Sequence, residues 1–188
     1  MKVLCIGDSL TFGYGIRKAH SWVGLLNNYS FDNFINKGVN GDTTTGMLSR
    51  FYQIIKSNDF EQTLIMGGSN DFLQNRPVNF VKDNLMLLIK DALLENLKTY
   101  ILIPPLALKD LALKNWSSSI DYNKFNENIL MLKDLLEKEI QDNSLPVKIL
   151  DLSSVIPLEE KFYTDGLHLT EDGHKIIFNE LKNYYKLK

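Results

Sequence analysis

The sequence predicts an α/β fold in which a five-stranded parallel sheet carries helices on both faces. Two observations predict it. Apolar runs of five to seven residues recur without strict alternation, as strands covered on both faces require. Between them lie longer segments with apolar residues three and four positions apart, the period of a helix stripe. Strands alternating with helices build parallel sheets with short, right-handed connections, and the expected strand order is the flavodoxin-like 2-1-3-4-5.

The elements follow in order. Residues 2–7 form the first strand, apolar through Val3-Leu4-Cys5-Ile6 and ended by Gly-Asp-Ser. Residues 21–28 form a short helix, and residues 33–39 a weaker strand. Residues 43–57 read as a helix through Met47, Phe51, Ile54 and Ile55, followed by a third strand at 62–67. Residues 77–97 open with Pro77 in a first helical turn and place Phe80, Leu85, Leu88, Ile89 and Leu93 on one stripe. The fourth strand, 99–103, is stopped by Pro104-Pro105. Residues 106–119 are the longest irregular stretch, with Trp116 and three consecutive serines, and form a candidate lid or dimer contact. A helix at 121–141 carries Phe125, Ile129, Leu132 and Leu136, the fifth strand is 147–152, and Thr170 caps a last helix at 170–187.

The length of 188 residues suits a single domain spanning 1–188. A formal net charge of −2 with no basic block sets nucleic acid aside as a partner. Cys5 is the only cysteine and reads as a buried strand thiol. The opening Met1–Asp8 stretch is too short in apolar residues for a signal peptide, and no run approaches a membrane span. A cytoplasmic protein without stable membrane insertion is expected, with no oligomeric state specified.

In parallel sheets the ligand site lies beyond the carboxyl ends of the strands. Four segments there mix glycine with short polar side chains: 7–13 (Gly-Asp-Ser-Leu-Thr-Phe-Gly), 38–44 (Gly-Val-Asn-Gly-Asp-Thr-Thr), 67–71 (Gly-Gly-Ser-Asn-Asp) and 164–170 (Thr-Asp-Gly-Leu-His-Leu-Thr). Ser9 alone could be a helix N-cap. It becomes a nucleophile only beside a base. Of three histidines, His168 has Asp165 three residues upstream in a predicted turn, with Gly166 between them to allow a tight bend, whereas Glu171 and His174, at the same spacing, fall within the predicted last helix. That spacing lets Asp165 reach the imidazole Nδ1–H and leaves Nε2 for the serine. Acyl transfer also needs donors for a developing oxyanion. The Ser9 N–H, the Gly41 N–H and the Asn70 side chain could supply them, although Gly41 could equally be a turn glycine and Asn70 an Asx turn. Asp8, Asp42 and Asp71 read as structural acceptors of backbone N–H groups in their loops.

The four blocks together resemble the GDSL, or SGNH, hydrolase family, over residues 7–173. The small single-domain bacterial type, similar to lysophospholipase and thioesterase-like esterases, is the nearest in pattern. The resemblance implies a three-layer α/β/α fold. It implies Ser9 as nucleophile, His168 and Asp165 completing a triad, an oxyanion hole of Ser9, Gly41 and Asn70, and no cofactor or metal. The expected substrate is a small-molecule ester: an acyl ester, lysophospholipid or thioester. An acetylated carbohydrate is the alternative within the family.

Competing motifs fail. A nucleophile elbow needs glycine where Thr11 stands, and a dinucleotide loop through Gly13 and Gly15 needs a third glycine where Lys18 stands. No Cys or His cluster has zinc spacing. Two other classes remain in view, a Mg²⁺-dependent phosphohydrolase using Asp8, Asp42, Asp71 and Asp165, and a binding module without turnover.

Overall fold

The computed structural model describes residues 1–185, the last two as backbone only. Five strands, β1 (Lys2–Gly7), β2 (Asn33–Gly38), β3 (Gln62–Met66), β4 (Lys98–Ile103) and β5 (Val147–Asp151), pair in the order β2-β1-β3-β4-β5, all parallel. Class and strand order are as the sequence predicts.

Alternate side chains of the central strands divide the core between the two faces of the sheet. Leu4 and Ile6 of β1, Ile65 of β3, and Ile101 and Ile103 of β4 face one layer. That layer consists of the helices α3 (Thr44–Lys56), α5 (Val78–Leu94) and α7 (Tyr122–Asp142), which contribute Met47, Phe51, Leu88, Ile129 and Leu132. Val3, Cys5, Leu64, Met66 and Leu102 face the other layer, made by α2 (Trp22–Tyr29) and α9 (Glu171–Tyr185) through Trp22, Leu26, Ile177 and Leu181. Burial on both faces explains why the central strands read as continuous apolar runs. The edge strand β2 is mostly exposed or half-buried, which explains its weaker signal.

Capping residues set several helix starts. Ser21 Oγ accepts the Gly24 N–H at 3.1 Å, Thr43 Oγ1 that of Gly46 at 3.3 Å, and Asp121 Oδ1 those of Asn123 and Lys124. Thr170 Oγ1 accepts the Gly173 N–H at 3.3 Å, as expected of an N-cap, while residues 186 and 187 of the predicted last helix lie outside the described residues.

The remaining differences are local. Pro77 sits one position before α5 with extended backbone, so it caps the helix instead of opening its first turn. Phe80, predicted on the buried stripe, is exposed, because the face of α5 toward the sheet runs through Val81, Leu85, Leu88 and Ile89. The same helix ends at Leu94, and Asn96 turns left-handed at φ 58° ahead of β4.

The predicted irregular stretch 106–119 contains α6 (Lys109–Asn115). Three further short helices follow strand ends: α1 (Ser9–Phe12), α4 (Ser69–Leu73) and α8 (Leu152–Val155). At four to seven residues such helices carry too little periodicity to be read from sequence and form through tertiary contact. None of the described helices is long and apolar enough to cross a membrane.

Candidate active site

β1 leads the chain into the site. A Cβ at Gly7 would lie 2.2 Å from Thr11 Oγ1 and 2.5 Å from the Met66 carbonyl, so only glycine lets β1 turn here against β3. Asp8 then caps α1, its Oδ1 accepting the Leu10 N–H at 2.9 Å. The N-cap role that Ser9 could have played thus belongs to Asp8. Ser9 is the first helical residue, and its hydroxyl is left for other partners.

Those partners come from the far end of the chain. The Ser9 hydroxyl lies 2.9 Å from His168 Nε2, and His168 Nδ1 lies 2.7 Å from Asp165 Oδ2. With the Nδ1 proton facing the carboxylate, Nε2 is an acceptor for the serine hydroxyl. The other oxygen, Asp165 Oδ1, accepts the N–H groups of Leu167 at 2.9 Å and His168 at 2.8 Å. Burial alone would raise the Asp165 carboxyl. The hydrogen bonds from the His168 ring and from these two amides overcome it and hold the group below the ordinary carboxylate value.

The turn itself is locked. The Thr164 N–H donates to the His168 carbonyl at 2.8 Å, and Tyr163 bridges Leu169 antiparallel. Gly166 has φ +93°, and a Cβ there would sit 2.3 Å from the Ala112 nitrogen. The position therefore needs glycine for its conformation and for the close approach of α6, which is also held by the Leu108 N–H donating to the Gly166 carbonyl at 2.8 Å.

Gly41 lies after β2 with φ +74°, and Asn70 is in the first turn of α4, after β3. The positive φ fits the turn-glycine reading of Gly41, while its N–H donates to no other described residue. Asn70 is helical and forms no Asx turn. Its Nδ2 donates to the Asp42 carbonyl at 2.9 Å and, more loosely, to Asp8 Oδ2 at 3.4 Å. Ser9, Gly41, Asn70 and His168 line one cavity of about 150 Å³. Its other walls are mainly apolar, including Leu10, Leu73, Leu106, Trp116, Phe125 and Leu167. No Lys or Arg is among the described residues lining it.

Asp8, Asp42 and Asp71 follow strand ends, whereas Asp165 lies in the turn before α9, well past the end of β5 at Asp151; each has its own partners. Asp71 accepts the Thr44 N–H and hydroxyl, each at 2.9 Å, tying α4 to the start of α3. Asp42 differs from expectation: its carboxylate takes Nε and Nη2 of Arg50, at 2.9 and 2.7 Å, instead of a loop amide. Arg50 also donates to the carbonyls of Lys37 and Gly7, binding the ends of β1 and β2 together. Burial pushes the Asp8 carboxyl up to about 7, against the Leu10 hydrogen bond and the nearby His168. Among the described residues no three His, Cys, Asp or Glu side chains converge in a way that could hold a metal ion.

Sequence reasoning missed three participants. Arg50 lies on a helix face that reads as ordinary surface. His174 is buried, accepts the Trp22 N–H at Nδ1 (3.3 Å), and is pushed down to about 4 by burial. Tyr14 stands with its ring centre 4.5 Å from that of His168. The glycines on either side of Tyr14 were its only signal.

The family model described as "GDSL-like Lipase/Acylhydrolase family" matches residues 5–176. An arylesterase of Vibrio mimicus is 29% identical over 175 residues, covering 89% of this chain and 79% of the relative. The thioesterase 1/protease 1/lysophospholipase L1 of Escherichia coli strain K12 is 24% identical over 177 residues, 93% of this chain and 78% of the relative. Among solved structures, a lipolytic G-D-S-L family protein from Veillonella parvula superposes with a TM-score of 0.84 at 18% identity, over 99% of this chain and 98% of that one. The psychrotrophic esterase EstA of Pseudoalteromonas sp. gives 0.78 at 22% identity, over 98% and 96%. At these identities the structures speak to the fold alone, and the family match, over nearly the whole sequence, settles membership: the chain belongs to the GDSL-like lipase/acylhydrolase family and is a carboxylic ester hydrolase.

Proposed function

We propose that the enzyme cleaves small, uncharged carboxylic esters through an acyl-enzyme on Ser9. One observation carries the reading: the line from Ser9 Oγ to His168 Nε2 and from Nδ1 to Asp165, at 2.9 and 2.7 Å. The ester carbonyl sits among the Ser9 N–H, the Gly41 N–H and the Asn70 amide. Ser9 Oγ attacks the carbonyl carbon as His168 takes its proton. Asp165 stabilises the imidazolium and keeps its orientation. The imidazolium then protonates the departing oxygen as its bond to carbon breaks. Water, losing a proton to the same nitrogen, attacks the acyl carbon; the bond to Ser9 Oγ then breaks as the imidazolium returns that proton to Oγ, and the acid departs.

The oxyanion donors act mostly at the transition state, each worth about 3 kcal/mol of barrier. Asn70 is placed for this because its second N–H is held only by the long contact to Asp8. A donor so weakly engaged can turn to an oxyanion at little cost.

Cavity size and lining support a small substrate. The apolar cavity beside Ser9, about 150 Å³ and open to solvent on one side, has room for a short acyl group. Lysophospholipids, which one relative's name includes, carry phosphate, and no cationic side chain among the described residues lines the cavity to receive it.

Turnover of aryl esters from acetyl to palmitoyl, by the native enzyme and by Ser9→Ala, tests the proposal. The native enzyme should favour the short acyl groups, and Ser9→Ala should lose turnover of all of them by at least about 10³-fold while remaining folded. A folded Ser9→Ala protein that retains turnover would remove the acyl-enzyme from the account.

A further inference from the structure

We propose that Tyr14 and Trp116 form an aromatic slot for the departing alcohol, so that the enzyme selects esters of flat, aromatic alcohols. The inference rests on the acyl-enzyme reading above and assigns specificity residues to it. The ring of Trp116 lies 5.0 Å from that of His168, centre to centre and steeply inclined at 65°; that of Tyr14 lies at 4.5 Å and 44°. His168 is only 7% exposed, whereas Tyr14 and Trp116 are 44% and 45% exposed. The two rings thus flank the buried imidazole while keeping nearly half of their own surface open.

Both rings are tied to the catalytic turns. Tyr14 lies between Gly13 and Gly15, which are left-handed at φ +86° and +81°, and its N–H donates to the Ser9 carbonyl at 3.1 Å. Trp116 closes α6, the helix packed against Gly166, and its N–H donates to the Ala112 carbonyl at 2.9 Å. The Tyr122 hydroxyl holds the following turn by donating to the Ser117 carbonyl at 3.1 Å. These contacts hold the segment as a wall beside the imidazole.

The chemistry puts the alcohol beside these rings. The proton taken from Ser9 must pass from Nε2 to the leaving oxygen, so that oxygen and the group it carries lie against the imidazole. Whatever flanks the imidazole also flanks the leaving group. Aromatic rings prefer offset or edge-to-face aromatic partners at centre separations of about 4.5–7 Å, a preference set by the π quadrupole that an aromatic alcohol carries and a saturated ring lacks.

The test compares phenyl acetate with cyclohexyl acetate, which share the acyl group and differ in the flatness of a six-membered ring. kcat/KM is measured for the native enzyme, Trp116→Leu and Tyr14→Leu, with Ser9→Ala as the blank. Each leucine variant should lose about fivefold to tenfold on phenyl acetate and about twofold or less on cyclohexyl acetate. Tyr14→Phe, which keeps the ring, should restore the preference that Tyr14→Leu loses. Equal losses on both esters, or no loss on either, would overturn the slot while leaving the acyl-enzyme reading intact. A native enzyme no faster than Ser9→Ala on every ester would instead overturn that reading, and the slot with it.

Discussion

Asp165 does two jobs with its two oxygens, and replacing it with asparagine separates them. Oδ1 accepts two backbone N–H groups, from Leu167 and His168, and so holds the turn; Oδ2 faces His168 Nδ1. In Asp165→Asn the carbonyl oxygen can keep both backbone bonds, each worth about 1 kcal/mol. The amide NH₂ then occupies the Oδ2 position and meets Nδ1 donor to donor. The imidazole relieves this by moving its proton to Nε2, where it points at Ser9. No base is left for the serine, and the imidazolium loses its counter-charge. Loss of the correct tautomer costs about 10⁴ in kcat, or about 5.5 kcal/mol of barrier. Stability should change little: the thermal midpoint should stay within about 4 °C of the native one, as a change of about 1 kcal/mol allows at this size. Asp165→Ala removes the turn bonds as well and should lower the midpoint further at a similar loss of activity. Steady-state hydrolysis of phenyl acetate and calorimetry on both variants measure the two quantities. An Asp165→Asn enzyme within tenfold of native kcat would refute the assigned role of the carboxylate.

The remaining expectations concern the turn and two buried ionisable groups. Gly166→Ala puts a Cβ 2.3 Å from the Ala112 nitrogen at a φ of +93°; strain and overpacking together should cost about 3 kcal/mol or more, lowering the midpoint by roughly 6–12 °C. An unchanged midpoint would show that the turn and α6 do not pack as described. His174 and Asp8 tilt stability in opposite directions with pH. The unfolded chain protonates His174 near 6.5 and the folded protein only near 4, so its contribution is lost as pH falls through that window, by about 3 kcal/mol in all. Asp8 is protonated below about 7 when folded and below 3.8 when unfolded, so its contribution is complete below 3.8 and is lost as pH rises through 7, by about 4 kcal/mol. Denaturant unfolding across pH 4–8 should show Asp8→Asn, neutral at every pH, without the loss of stability on the alkaline side, and His174→Gln without the loss on the acid side; profiles parallel to that of the native protein would contradict both assignments.

Much of this enzyme is legible in its sequence. The parallel sheet follows from runs such as Val3–Ile6, whose neighbours must be buried on opposite faces. Ser9, Gly41 and Asn70 stood out as candidates because ligand sites in such sheets gather at strand ends, where glycine and short polar side chains are conspicuous. Local spacing also pointed to Asp165 and His168 as a hydrogen-bonded pair, since they are close in the chain and need only Gly166 to bend between them.

What sequence spacing alone left open were the interactions that cross the chain. Asp8 and not Ser9 caps the first turn, because Gly7 directs β1 against Thr11 and leaves the aspartate facing the Leu10 amide. Arg50 holds Asp42 and the ends of two strands, and Trp116 reaches His168 through a helix that forms only where Ala112 meets Gly166. Periodicity and local spacing encode which faces are buried, so the sequence by itself determined the sheet, its layers and the residues offered at its ends. The distances among those residues, and the aromatic walls around the imidazole, depend on close packing between segments far apart in the chain, and only the tertiary structure decided them.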